Sequence, residues 1–322
     1  MDRRQFCALT GATLLAPAAF AQAPTGFPTK PIRIVVPTPP GGPLDTLARM
    51  MSEKMTTTWG QPVVVDNRSG ANGSIAYAAV ANAPPDGHTF VLSLSSLVQA
   101  TLLMKAPPYR LEQLAAVTIV ATMPNAFAVG SHVPVTTMAQ FLAWAKSRTD
   151  GVDYGSSGPG SSGNIMGATL AKDANINLVH VPFRGDVPGM QALLGGQIAS
   201  LFGVPGNLAQ YAQTGKVRLL ALAAPKRLKD FPDVPTFAEL GFPRVNLAGW
   251  SMVAVPAGTP QPIVDQLSAE IARIVQTPEV SARIASYGFQ PEGTNAEAGR
   301  KLLREEGPRW SAAMQVAGVT PE

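Results

Sequence analysis

Short apolar runs alternate with longer amphipathic ones along the chain, and prolines and glycines mark the boundaries between them. Ile32-Arg33-Ile34-Val35-Val36 reads as a buried strand, and Leu44 to Trp59 carries apolar residues at helical spacing. The alternation repeats with a strand at Pro62 to Asp66, a helix at Ser74 to Ala83 and a strand at Thr89 to Leu94, with Pro84-Pro85-Asp86-Gly87 as a turn. A second series opens with a strand at Asn125 to Val129. Helices are predicted at Thr137 to Ser147, Ser162 to Asp173, Asp186 to Leu194 and near Asn207 to Gln213. The intervening strands are Val152 to Tyr154, Leu178 to Val181, Ile198 to Phe202 and Val217 to Ala223. Lys226 to Pro243, rich in proline and charge, reads as a long surface connection. Trp250 to Val255 is one more strand, and from Pro262 onward the chain is mostly helix.

Strands alternating with helices imply α/β architecture, each sheet mainly parallel and flanked by helices. Crossings near Met123-Pro124 and near Asn246 to Gly249 would make two lobes, one of them discontinuous: residues 24–123 plus 247–322, and residues 124–246.

Two turns, each between a predicted strand and a predicted helix, carry the candidate chemistry. The first contains Thr38-Pro39-Pro40-Gly41-Gly42, and the second runs from Tyr154 through Ser156, Ser157, Gly158, Gly160, Ser161, Ser162 and Gly163 to Asn164. Free N–H groups and the positive end of the dipole at a helix start attract an anion. Two such turns about 120 residues apart, roughly one domain's spacing, suggest two lobes gripping one carboxylate-bearing ligand. Prolines stiffen the first turn and glycines admit close approach, while serine hydroxyls add donors to the second. Asp45 would repel a carboxylate directly. It suits a cap or a water bridge, with Arg49 one turn on as its partner. Arg184 either reaches the cleft to pair with a second carboxylate or stays on the surface, and Ser93, Ser95 and Ser96 are further candidate donors.

Gly158 to Gly163 match G-x-G-x-x-G, yet the following strand, Leu178-Val179-His180-Val181-Pro182, ends without the acidic residue that would take a ribose hydroxyl. No dinucleotide or other cofactor is expected. Only His88, His132 and His180 are present, and neither a G-x-S-x-G elbow nor a metal-binding H-E-x-x-H occurs. A serine hydrolase using Ser157 and one of these histidines stays open as the alternative. Lysine and arginine (25) exceed aspartate and glutamate (21) without clustering, which argues against nucleic acid.

Residues 1–21 read as an export signal. Arg3-Arg4-Gln5-Phe6 precedes an apolar stretch, and Ala19-Phe20-Ala21 has the form of a cleavage site. The paired arginines fit the twin-arginine route, and the general secretory route fits as well. The single cysteine, Cys7, falls within this segment. The next most apolar stretch, Ala115 to Gly130, is too interrupted to cross a membrane, so a soluble periplasmic protein is expected.

The run Pro28-Thr29-Lys30-Pro31-Ile32-Arg33-Ile34-Val35-Val36-Pro37, continuing through Pro39-Pro40-Gly41-Gly42-Pro43-Leu44-Asp45 to Arg49, resembles the opening of the Bug-type solute receptors of tripartite tricarboxylate transporters. Val65-Asp66-Asn67-Arg68, Pro85-Asp86-Gly87-His88-Thr89, Leu193-Leu194-Gly195-Gly196-Gln197, Pro232-Asp233-Val234-Pro235-Thr236 and Pro256-Ala257-Gly258-Thr259-Pro260 follow in the same order. The resemblance implies a type II periplasmic binding protein that closes on an organic acid. The acid would be clamped by Thr38 to Gly42 and Ser156 to Ser162. It also implies a monomer serving membrane subunits, or an orphan receptor lacking them. The chain departs from the family pattern at Leu97-Val98-Gln99-Ala100-Thr101, Gly163-Asn164-Ile165 and Phe202-Gly203. Each change removes polar side chains near the far end of the ligand, with Asn164 and Gly203 left as candidates there. A ligand with one well-held carboxylate and a less polar remainder is the expectation.

Overall fold

The computed structural model describes residues 26–158, 160–183 and 185–320. The export signal and Cys7, and also Arg184, lie outside them.

The chain begins with β1 (Ile32–Val36), α1 (Pro43–Trp59), β2 (Val63–Asn67), α2 (Ser74–Ala81), β3 (Thr89–Leu94), α3 (Ser96–Leu103) and β4 (Leu114–Met123). It continues with β5 (Asn125–Gly130), α4 (Met138–Lys146), β6 (Val152–Ser156), α5 (Ser162–Ala174), β7 (Leu178–Pro182), α6 (Asp186–Leu194), β8 (Ser200–Gly203), α7 (Pro205–Gln213) and β9 (Val217–Ala223). It ends with β10 (Gly249–Pro256), α8 (Gln261–Val275), α9 (Pro278–Ser286), β11 (Gln290–Pro291) and α10 (Ala296–Val316).

These strands form two sheets, ordered β11-β4-β10-β3-β1-β2 and β7-β6-β8-β5-β9. In the first, β1 pairs in parallel with β2 and β3, as strand–helix–strand units require, and β10 runs antiparallel between β3 and β4. The second repeats the plan: β6 is parallel to β7 and β8, and β5 runs antiparallel between β8 and β9. The inserted strands, β10 and β5, are the first that the chain contributes to a sheet on arriving from the other one. Most strands therefore point one way in each sheet, with a reversed strand where the chain changes lobe.

The apolar stretch from Ala115 to Gly130 proves to be two strands, β4 and β5, in different sheets. Both are largely buried, which explains its near-continuous hydrophobicity, and Pro124 between them offers no N–H to either ladder. The strand expected at Ile198 to Phe202 starts two residues later, at Ser200. Lys226 to Pro243 is less of a surface connection than its composition suggests. Leu228, Thr236 and Phe237 are buried in it, Phe237 N–H donates to the Leu222 carbonyl at 2.8 Å, and its ring stacks on Phe202 with centroids 5.9 Å apart.

One apolar cluster runs through both halves, joining Tyr77, Val98 and Trp250 to Phe127, Phe141, Phe202 and Trp310. The C-terminal helix α10 packs on β4 and α3 of the first half and on α5 of the second. Its buried Glu306 accepts the indole N–H groups of Trp250 at 2.8 Å and Trp310 at 2.7 Å, and Arg309 at 3.2 Å. The Arg309 guanidinium also bonds the carbonyl of Asn246, in the segment that leads back to β10. The return connection between the lobes is thus tied to the last helix through Glu306 and Arg309.

Candidate ligand-binding site

The first turn leaves the carboxyl end of β1 and enters α1 with Pro43 in its first turn and Gly41 at φ +86°, a conformation suited to glycine. Asp45 faces into this turn. Its Oδ2 accepts the Gly41 N–H at 2.9 Å and Arg49 Nε at 2.9 Å, and its Oδ1 accepts Asn67 Nδ2 at 3.0 Å. Asn67 also donates to the Thr38 carbonyl at 3.1 Å, which ties the turn to the end of β2. The Arg49 guanidinium, helped by the Gly41 and Asn67 donors, holds the Asp45 carboxyl below its usual range against the opposing cost of burial. The charge that would repel a bound carboxylate is thus turned inward and paired. Gly41 is engaged with Asp45, whereas the N–H groups of Gly42 and Leu44 have no partner among the described residues. The Thr38 hydroxyl oxygen is buried with no hydrogen-bond partner.

A cavity of about 400 Å³ opens on this turn, walled by Thr38, Pro39, Pro40 and Gly42 on one side and by Leu94, Met123 and Phe289 on the other. These three apolar residues carried no signal in the sequence as site residues. They come from the end of β3, the end of β4 and the segment before β11, and only the sheet order brings them together.

The serine turn leaves the carboxyl end of β6 and enters α5. Ser156 is buried; its Oγ lies 2.7 Å from His180 Nε2 and 3.1 Å from Ser161 Oγ, and accepts the Gly158 N–H at 3.2 Å. Ser161 caps α5 by accepting the Asn164 N–H at 3.3 Å. Asn164 accepts the Gly160 N–H at 3.0 Å through Oδ1 and donates to Tyr154 Oη at 3.2 Å. Ser156, Gly160, Ser161 and Asn164 therefore build the turn. Ser157, which is exposed, and Ser162 have side chains without a partner among the described residues, as do the N–H groups of Ser162 and Gly163. These groups take no part in the loop's internal hydrogen-bond network.

A nucleophilic role for a serine here meets a geometric obstacle. The serine bonded to histidine is Ser156, which is 1% exposed, and exposed Ser157 makes no hydrogen bond to a histidine among the described residues. Burial lowers the His180 pKa below the usual imidazole value. No carboxylate among the described residues bonds it.

Ser95 sits between β3 and α3, donates its N–H to the Trp250 carbonyl at 3.0 Å, and lies beside Gly249, where the chain re-enters the first sheet. Ser93 Oγ is bonded to the Met252 carbonyl and Ser96 Oγ to Tyr77 Oη, so both hold the fold. Gly203 ends β8, buried and paired with Ala126. At the site's margin the two halves touch backbone to backbone: a Cβ on Gly206 of α7 would fall 2.7 Å from the Gly288 Cα, next to Phe289.

Residues 47–319 match the tripartite tricarboxylate transporter family receptor. The UPF0065 protein of the tcbD-tcbE intergenic region of Pseudomonas sp. (strain P51) is 34% identical over 312 residues, 96% of this chain and 93% of that one. A TctC solute-binding protein from Polaromonas superposes with a TM-score of 0.81 at 28% identity, over 90% of this chain and 99% of that one. MatC from Rhodopseudomonas palustris, solved with bound malate, superposes with a TM-score of 0.68 at 32% identity, over 89% of this chain and 99% of the other. The two-sheet α/β fold of this chain is thus that of known periplasmic binding proteins. On fold, length and sequence alike, this chain belongs to the tripartite tricarboxylate transporter family of solute-binding receptors.

Proposed function

We propose that the mature protein works in the periplasm as a monomeric receptor, not an enzyme. It captures a small carboxylate-bearing organic acid between residues 24–123 plus 247–322 and residues 124–246, and presents it to the membrane subunits of a tripartite transporter. The chain is exported by the twin-arginine or the general secretory route, and its signal is cleaved near Ala21. One observation carries the reading: in each half a strand-to-helix turn neutralises or engages its own polar side chains internally, while helix-start N–H groups have no partner among the described residues. A carboxylate fits such groups, and malate bound to a relative of the same fold is consistent with it. Lobe closure follows if the ligand touches both turns at once, because the open form lacks half of those contacts. Micromolar affinity, about 8 kcal/mol, is within reach of a few amide and hydroxyl donors.

Thermal unfolding against a panel of mono-, di- and tricarboxylates tests this. A ligand at a hundred times its dissociation constant adds about 2.7 kcal/mol, and Gly42→Asp or Ser157→Asp is expected to abolish that shift. No stabilisation by any carboxylate would overturn the reading. Turnover of small esters that is lost in Ser157→Ala would instead make the protein a hydrolase.

A further inference from the structure

The cavity at the first turn is chemically one-sided. Its polar lining belongs to the turn, where the Gly42 and Leu44 N–H groups have no partner among the described residues and the Thr38 hydroxyl, also without one, lies beneath the surface. The rest of the wall is apolar: three prolines of the turn, Leu44, Leu94, Met123 and Phe289. No charged side chain lines it among the described residues, and Asp45, the nearest acid in sequence, is turned away into its own ion pair. Nor does the serine turn contribute to this wall.

We infer that the ligand is a monocarboxylate with an apolar body, an aromatic ring or a branched or cyclic alkyl group, rather than a hydroxylated or polycarboxylic acid. The inference rests on the carboxylate-receptor reading above and narrows it. The carboxylate lies at the mouth of the cavity among the turn donors, and the body fills the space against Leu94, Met123 and Phe289. A hydroxyl or second carboxylate placed against those three side chains would leave water with no hydrogen bond in return. A ring there meets an aromatic partner and a thioether that adapts to its shape. A dicarboxylate could escape this penalty only by leaving the cavity empty and spanning to the serine turn, which makes the two ligand classes distinguishable.

Titration calorimetry of the mature protein with benzoate, cyclohexanecarboxylate and 3-methylbutanoate against succinate, malate and citrate decides the matter. At least one apolar acid is expected to bind roughly tenfold or more tightly than malate, the scale on which a hydrophobic pocket discriminates. Phe289→Asn is expected to erase most of that preference and Phe289→Leu to keep it, with the melting temperature of each unliganded variant as the control because the ring also packs against the apolar core of the first half. Succinate or malate binding as tightly as the apolar acids would overturn the inference and leave the receptor reading standing. Failure of all six acids to bind would remove both.

Discussion

At the scale of single residues, Asp45 has the largest consequence for the site. Its carboxylate holds Gly41, Arg49 and Asn67 at once, so Asp45→Asn is expected to cost about 2 kcal/mol of stability, read from urea denaturation, because the bonds it loses are to a charged group. The pH dependence has a definite sign. The folded-state pKa lies below the unfolded one, so the unfolded chain binds the extra proton. The increment is present in full above the ordinary carboxylate range and fades as pH falls through the lowered folded value. The wild type is expected to lose its advantage over Asp45→Asn across that acid window, and a constant gap down to low pH would contradict the ion-pair account. Helical spacing alone marked Asp45 and Arg49 as partners. The sharing of Asn67 between Asp45 and the Thr38 carbonyl needed β1 and β2 to be adjacent, a long-range fact.

At the scale of elements, α10 and the paired glycines connect the halves. Glu306 is buried among Trp250, Trp310 and Arg309, and Glu306→Leu leaves two indole N–H groups without an acceptor. A loss of about 3–5 kcal/mol is expected in equilibrium unfolding, with Glu306→Gln losing less because both indoles bond one oxygen, Oε2, where an amide oxygen can still accept them, and only the Arg309 bond is lost. Equal losses in the two variants would show that packing rather than hydrogen bonding dominates there. The Gly206–Gly288 contact makes a separate demand. An added Cβ at 2.7 Å from backbone cannot be absorbed by a side-chain swing, so α7 must move away from the segment carrying Phe289. Overpacking of this kind costs about 1–3 kcal/mol, and if the contact forms when ligand is held, Gly206→Ala weakens binding by roughly tenfold or more. Unchanged affinity would mean that closure does not use this contact. Neither glycine stood out in the sequence, because each is meaningful only opposite the other.

At the scale of the whole molecule, the proposed capture mechanism requires a change of shape. Solution scattering is expected to show a smaller radius of gyration when a binding acid is added, and no change with an acid that fails to stabilise the protein. By itself the sequence carried the alternation of strands and helices and the position of the two strand-to-helix turns. Apolar period, proline and glycine punctuation and helix-start composition act over a few residues and need no partner to be read. It also carried the resemblance that named the receptor class. The tertiary structure alone decided which donors are free: Ser156, Ser161 and Asn164 looked equivalent to Ser157 and Ser162 until His180 and Tyr154 were brought beside them. It alone assembled Leu94, Met123 and Phe289 into one wall, and it split the apolar stretch around Pro124 into strands of two sheets. Each of these depends on contacts between segments far apart in the chain, made by strand order and packing, which no local pattern of residues encodes.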